Sequence, residues 1–336
     1  MIDISSWLQN GTLFSLNSSE ILVSYGAVTR SNKPIIGGYY APDFYLKSNE
    51  PWFKFEENHT LNKQGFLSEI RSSSTGNEVL DFNTFTHIQQ GISKGSLNKL
   101  VPVVFEVSDI SPSSGQLLNF ICELLKVNTS QYIYGLWQNG EGLLGLTPEV
   151  LFNKKGSLLN SMALAGTDKV SSGDGSLLNN PKEMNEHSFV IEELKNQFKE
   201  LGSVEQSRTY EWEINEIKHL RTDISVSLTT DCNPEAIVKS LHPTPALGIH
   251  PKEYNWHNIK NFETSVQRLR YGAPFGVSMT GGEFKSLVAI RNIQWDKNKS
   301  YIGSGCGIVK ESEINKEWAE LTLKRNSVKK YLGLIN

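Results

Sequence analysis

An α+β fold in a single domain, with largely antiparallel sheets, is what this 336-residue sequence predicts. Three observations carry that expectation. Short apolar runs separated by turn residues recur along the chain. Two segments, near residues 181–201 and 313–331, show the 3.6-residue spacing of amphipathic helices. Helices and strands are mixed without the regular beat of βαβ units, and no repeat, low-complexity tract or Pro/Gly linker divides the chain, so residues 1–336 read as one domain.

The elements follow in order. From residue 1 to about 60, runs such as EILVSY and GGYYAPDFYL alternate with Gly, Asn, Ser and Pro, the pattern of antiparallel strands and turns. Residues 77–91 place Val79, Phe82, Phe85 and Ile88 at helical spacing, and the β-branched run LVPVVFEV at 100–107 predicts a strand with Lys99 at the junction. A helix around 114–126, a strand at YIYGLWQ and a hairpin through NGEGLLGL come next, with Asn139 and Gly140 supplying the turn. The segment 181–201 is the clearest helix: Met184, Ile191, Leu194, Phe198 and Leu201 share one stripe, with Glu183 and Glu186 on the polar face. The last third predicts strands at 271–279, 286–295 and 300–303, a glycine-rich turn and a helix from about Glu313 to Tyr331.

Composition narrows the function classes. Basic and acidic residues number 33 and 36 and are spread evenly, without the basic stripe that binding a phosphate backbone needs, which argues against a nucleic-acid partner. Mean hydropathy is -0.34 and nowhere do eighteen apolar residues stand together, so no membrane span is expected, nor does the N-terminus read as an export signal. Cys122, Cys232 and Cys306 are odd in number and far apart, which predicts neither a disulfide framework nor a CxxC metal site and fits a reducing cytoplasm.

Three constellations could carry chemistry. Glu317, Glu320 and Lys324 lie three and four residues apart on the last helix, beside an apolar stripe of Ile314, Trp318, Leu321 and Val328. They read either as a solvated face with an ion pair or, together with Glu186 ahead of His187, as a hard oxygen site suited to Mg²⁺. GSGCGIV, residues 303–309, reads as an anion cradle of backbone N–H groups or as a plain tight turn; without a GK[ST] ending it is a poor nucleotide loop. Arg291 ends the run SLVAIR, where burial would demand an anionic partner, either a substrate carboxylate or an internal acid.

Taken together, NKLVPVVFEV, GLTPEVLF, MALAGT, PKEMNEH, KHLRTDIS, LHPTPALGIHP, RYGAPFG, VAIR, GSGCGIV and KEWAELTLK resemble, in order and spacing, the chorismate-binding enzymes, the family of anthranilate, aminodeoxychorismate, isochorismate and salicylate synthases. The resemblance covers about residues 80–332 and leaves 1–75 as a divergent N-terminal part of the sheets. It implies two large, packed, mostly antiparallel sheets with helices outside. It also implies chorismate as substrate and Mg²⁺ as cofactor, held by Glu186, Glu317 and Glu320 with Lys324 one turn beyond. Tyr271, Arg291 and the backbone at Gly305 and Gly307 would hold the substrate's carboxylates. Thr167 and His219 would line the same pocket, a purely structural role for the histidine being an equal reading. Lys99 stands where ammonia-using members have glutamine, which implies water as nucleophile, Lys99 as base and Glu149 as acid. Isochorismate is then the expected product, for menaquinone or siderophore biosynthesis, from a cytoplasmic monomer with no fused glutaminase. Salicylate formation, an ammonia-using reaction and non-catalytic binding are the alternatives. The sequence departs from the family at VVFE and TDKV, where arginines are usual, and at Ile249 and His250 after Gly248, which bears on the pocket rim.

Overall fold

Among the described residues, hydrogen bonds join seventeen strands into one continuous sheet and two short ones, Lys99–Leu100 and Ile249–His250, into a separate ribbon. The computed structural model describes residues 2–71, 83–84, 98–127, 129–170, 175–252, 256–262 and 267–335. The pairings within the sheet are antiparallel, as expected. Among the described residues six α-helices, α1 (Ile4–Gln9), α2 (Lys63–Arg71), α3 (Ser114–Lys126), α4 (Pro181–Lys199), α5 (Pro234–Leu241) and α6 (Ile314–Tyr331), accompany it.

The expected two sheets are the halves of this one. One half runs through Val103–Ser108, Ser300–Gly305, Asn292–Trp295, Glu141–Thr147, Tyr132–Gln138, Asn10–Ser15, Glu20–Ser31 and Trp52–Asn62. The other runs through Pro274–Ser278, Phe284–Val288, Val150–Lys155, Leu158–Lys169 and Ile217–Leu228. The two-residue strand Tyr39–Tyr40 splices them, pairing with Phe53 and Trp52 on one side and with Val277 and Gly276 on the other. Folding at that splice sets the apolar faces together: Phe14, Phe53 and Tyr134 from one half share a cluster with Val150, Phe275 and Leu287 from the other. Phe275 stacks on Phe14 with ring centroids 6.1 Å apart and lies 5.4 Å from Tyr134. Trp7, Phe66, Leu117 and Ile121 of α1, α2 and α3 cover the first half's outer face, whereas Val190, Leu194, Phe198 and Ile237 of α4 and α5 cover the second.

Local signals account for the elements read correctly. α3 begins at a complete capping box between Ser113 and Gln116. Asn180 caps α4 and Pro181 opens it, its missing N–H being one the first turn leaves unpaired anyway. Asn139 and Gly140 take φ of 52° and 81°, the paired positive values of a two-residue hairpin turn.

Other expectations are corrected. Residues 4–9 form α1, capped by Asp3, within a stretch expected to hold strands and turns. Of the helix expected over 77–91, only Asn83–Thr84 is described, as a strand pairing with Val107 and Glu106; the remainder lies outside the described residues. The strand expected at 100–107 breaks at Val101 and Pro102, since proline has no N–H for a ladder, and the one expected at 286–295 breaks at Ala289–Arg291. The largest revision concerns the helix faces. Glu183, Glu186 and His187 of α4 are buried while Met184 and Ile191 are half exposed; in α6, Glu317 and Arg325 are buried while Ile314 is 55% exposed. Both helices turn charge inward.

The splice-and-fold arrangement makes the aromatic contact at Phe275 the seal between the halves. Phe275→Ala is expected to cost about 3–5 kcal/mol of unfolding free energy, the range for emptying a buried aromatic site, measured by urea denaturation; a loss near zero would place the seal elsewhere.

Candidate active site

The chain crosses from the first half of the sheet to the second at Pro148 and Glu149 and returns at Ala289–Arg291. The two crossings are tied together: Val288 N donates to Glu149 O at 3.1 Å and Leu146 N to Arg291 O at 3.2 Å. Arg291 adopts a φ of 55°, a left-handed conformation that a non-glycine residue holds only when its surroundings enforce it. Both side chains thereby reach one cavity at the end of the layered sheet.

Of the twelve residues the sequence nominates, nine line this cavity: Glu149, Thr167, Glu186, His219, Tyr271 and Arg291, with Gly305, Gly307 and Lys324. Glu149 is 5% exposed, and burial raises its carboxyl to about 7 against the pull of Lys99 and Lys324. Arg291 is buried, and its guanidinium donates to Ser327 Oγ at 2.7 Å. No carboxylate pairs with it among the described residues, so the internal acid that could have satisfied it is not what holds it. Burial lowers its affinity for the proton and leaves a strong donor fork facing the cavity. Lys324 donates to Gly305 O at 2.9 Å and pairs with Glu320; burial works against its charge, but Glu320 holds the proton on. Burial raises the Tyr271 hydroxyl's pKa, and it stays neutral.

Gly166 places the opposite wall. With φ 76° it forms a bulge where the pairing of Leu158–Lys169 with Ile217–Leu228 slips between Ala165 and Thr167. His219 Nδ1 lies 3.0 Å from Gly166 O, which can only accept, so the proton is assigned to Nδ1; Thr167 Oγ1 stands 3.1 Å from the same nitrogen. Burial, then Arg291 and Lys324, push His219 down to about 3, so the ring is neutral at ordinary pH.

Lys99 does not line this cavity. Its backbone is held by the pairing with His250 and by the Leu100–Ile308 bridge, and its side chain is 1% exposed with Nζ 2.9 Å from Glu186 Oε1. Gly307 is required by space: a Cβ there would stand 2.1 Å from Glu186 Oε1 and 2.7 Å from Lys99 Cε. Glu186 stays ionised, because Lys99 and Lys182 outweigh burial.

A second cavity adjoins the first at Thr167 and is lined by Lys182, Glu183, Glu317 and Glu320. Here sequence reasoning missed a group. Lys182 Nζ lies 3.0 Å from Glu183, 3.5 Å from Glu186 and 3.0 Å from Glu317, so the ammonium stands where three carboxylates converge. Its i,i+4 spacing to Glu186 was the available signal. Burial, with neighbouring carboxylates, raises the pKa of Glu183 and Glu317. Among the described residues no three acidic, histidine or cysteine side chains stand close enough together to hold a metal ion as they are, and Glu320 is turned to Lys324. Were Lys182 withdrawn and the three carboxylates drawn closer, the hard oxygen donors Glu183, Glu186 and Glu317 are the ones that would hold Mg²⁺.

The chorismate-binding enzyme family profile matches residues 53–333. The chain belongs to that family of chorismate-binding enzymes. It is 32% identical over 221 residues to isochorismate synthase MenF of Bacillus subtilis, covering 62% of this chain and 46% of that protein. It is 30% identical over 244 residues to MenF of Haemophilus influenzae, covering 69% and 56%. The aligned part thus spans about half the length of these relatives. The solved structure of MenF, the menaquinone-specific isochorismate synthase of Escherichia coli, superposes with a TM-score of 0.77 at 18% identity, covering 99% of this chain and 91% of that one, which establishes the fold. Among the described residues no helix is long and apolar enough to cross a membrane.

The burial of Glu149 sets its own test. Because its folded pKa of about 7 exceeds the ordinary 4.5, its contribution to stability is fully present below about 4.5 and is lost as pH rises through about 7. Carbon-detected NMR of the Glu149 carboxyl should titrate near 7, and Lys324→Met, by removing a cation that holds it down, should move it higher. A midpoint near 4 would mean that water reaches the group.

Proposed function

We propose that this chain is a magnesium-dependent isochorismate synthase acting on chorismate in the cavity between Glu149, Arg291 and His219. The observation that carries the reading is Glu149: a carboxyl raised to about 7, in a cavity whose other walls offer Arg291 and Lys324 to anions, is poised to donate a proton at neutral pH. The names of the two MenF relatives point the same way.

Chorismate carries two carboxylates, and this chain offers two cationic sets. Arg291, Lys324 and the backbone at Gly305 and Gly307 would orient one carboxylate. The Glu183, Glu186 and Glu317 cluster would hold Mg²⁺, which supplies charge neutralisation for the ring carboxylate. Lys99, once its pair with Glu186 opens and its own proton has passed to solvent, takes a proton from the water that bonds to C2. The ring double bond shifts, the C4–O bond breaks, and Glu149 gives its proton to the departing hydroxyl, which leaves as water. One water is added and one released. His219, neutral and held by Gly166 and Thr167, shapes the wall beside the ring. We place the enzyme in the cytoplasm, as a monomer, in keeping with three cysteines that form no disulfide.

Incubating the protein with chorismate and Mg²⁺, with and without ammonium, should yield isochorismate in both cases, identified by NMR. Salicylate would move the reading to a salicylate synthase, and an aminated ring would overturn the choice of water. Lys99→Ala and Glu149→Gln should each lower turnover about a hundredfold to ten-thousandfold, the usual cost of losing a general base or acid, while still binding chorismate. Turnover by Lys99→Ala close to that of the parent would remove Lys99 from the mechanism. Glu317→Gln should fold normally yet weaken Mg²⁺ binding in calorimetry; undiminished binding would refute its assignment as a ligand.

A further inference from the structure

α6 brings Lys324 and Glu320 to the cavities, yet little apolar burial holds it in place. It buries four side chains, Glu317, Leu321, Arg325 and Val328, and two of these are charged. Apolar contact alone allows a helix to turn or slide; directional bonds do not. Arg325, 1% exposed, makes such bonds to two neighbouring strands. Its Nε donates to Glu106 Oε1 at 2.8 Å on Val103–Ser108, and its Nη1 donates to Ser304 Oγ at 2.7 Å on Ser300–Gly305. Lys329, one turn on, closes on the other Glu106 oxygen, so the carboxylate stays ionised although burial opposes it. The residues flanking Arg325 touch the cavity's frame: Lys324 donates to Gly305 O, next to Ser304, and Ser327 accepts from Arg291.

We propose that the Arg325–Glu106–Ser304 junction is the positioning element that fixes the rotation and register of α6, and so places Lys324 and the contact between Ser327 and Arg291. Arg325 touches no reacting group; it acts through its neighbours on the helix. Buried ion pairs are seldom worth more than well-packed apolar side chains of the same volume, so geometry rather than net stability is what this junction contributes. Sequence-distant partners, 219 residues apart, make it a tertiary lock rather than a helical pair.

The inference rests on the reading of the cavity as the chorismate site, and the test separates the two. Arg325→Met and Arg325→Lys are made in the full chain and in the Glu149→Gln background, where chorismate binding is measured without turnover. Arg325→Met should lower kcat about a hundredfold, as expected for a displacement on the order of an ångström, and weaken chorismate binding about tenfold, the worth of one charge-assisted contact. Arg325→Lys, whose ammonium reaches Glu106 but cannot fork to Ser304, should fall between. A folded Arg325→Met with parental kcat and affinity overturns the proposal. If Arg325→Met does not fold, the triple variant Glu106→Met, Arg325→Met, Lys329→Met replaces the charges with apolar volume: folded but impaired supports the proposal, folded and fully active refutes it. If the parent does not turn over chorismate, the functional reading falls, and hydrogen exchange in residues 314–331 still decides the lock. Faster exchange in the variant upholds it, and unchanged exchange sinks it.

Discussion

The hydrogen bonds between the two crossings, Val288 to Glu149 and Leu146 to Arg291, are the constraint on which the site depends. Each crossing is the point where the chain changes layer, so each is pinned on both sides by a strand it has just left or is about to enter. A side chain at such a point inherits the rigidity of both layers. That is why the acid and the guanidinium face one cavity although 142 positions separate them in sequence, and why Arg291 can be held at a positive φ. Loops carry reactive groups in many enzymes; here two short connections do, and the layered sheet supplies the stiffness.

Charge burial is the second theme. Lys99, Glu149, Glu186, Arg291, Glu317 and Arg325 are all less than a tenth exposed. Their compensation varies. Lys99 and Glu186 pair directly, as do Arg325 and Glu106, Glu317 lies against Lys182, Glu149 leans toward its neutral form, and Arg291, among the described residues, has the Ser327 hydroxyl as its partner. The least compensated of these groups faces the cavity, where an anion would complete it. Space reinforces the pattern, because Gly307 lets the Lys99–Glu186 pair close against the backbone.

How much of this was legible follows from what each feature depends on. α3, the hairpin at Asn139 and Gly140, and the antiparallel class rest on local chemistry, and the sequence displays them. The nominated residues came through motif order, and nine of them meet in space. The helix faces were misread because hydrophobic periodicity assumes that charge points outward. In α4 and α6 the inward face is built from carboxylates whose partners, Lys99 and Lys182 for Glu186 and Lys182 for Glu317, become visible only in three dimensions. α1 is too short to show a stripe. The break at Arg291 carries no glycine to announce it, and the partner of Glu106 lies on the last helix. Lys182 was passed over because a lysine in a first helical turn ordinarily points to solvent.

Lys182 has a consequence for how the protein is made. Three carboxylates brought together in a partly dry cleft would, without a counterion, cost the chain several kcal/mol apiece by the general magnitude for buried ions. The Lys182 ammonium offsets part of that charge and Lys99, paired with Glu186, offsets more, using only the chain's own atoms. Assembly of the tertiary structure therefore need not wait on the supply of metal, in contrast to small zinc domains in which the ion and the fold arrive together.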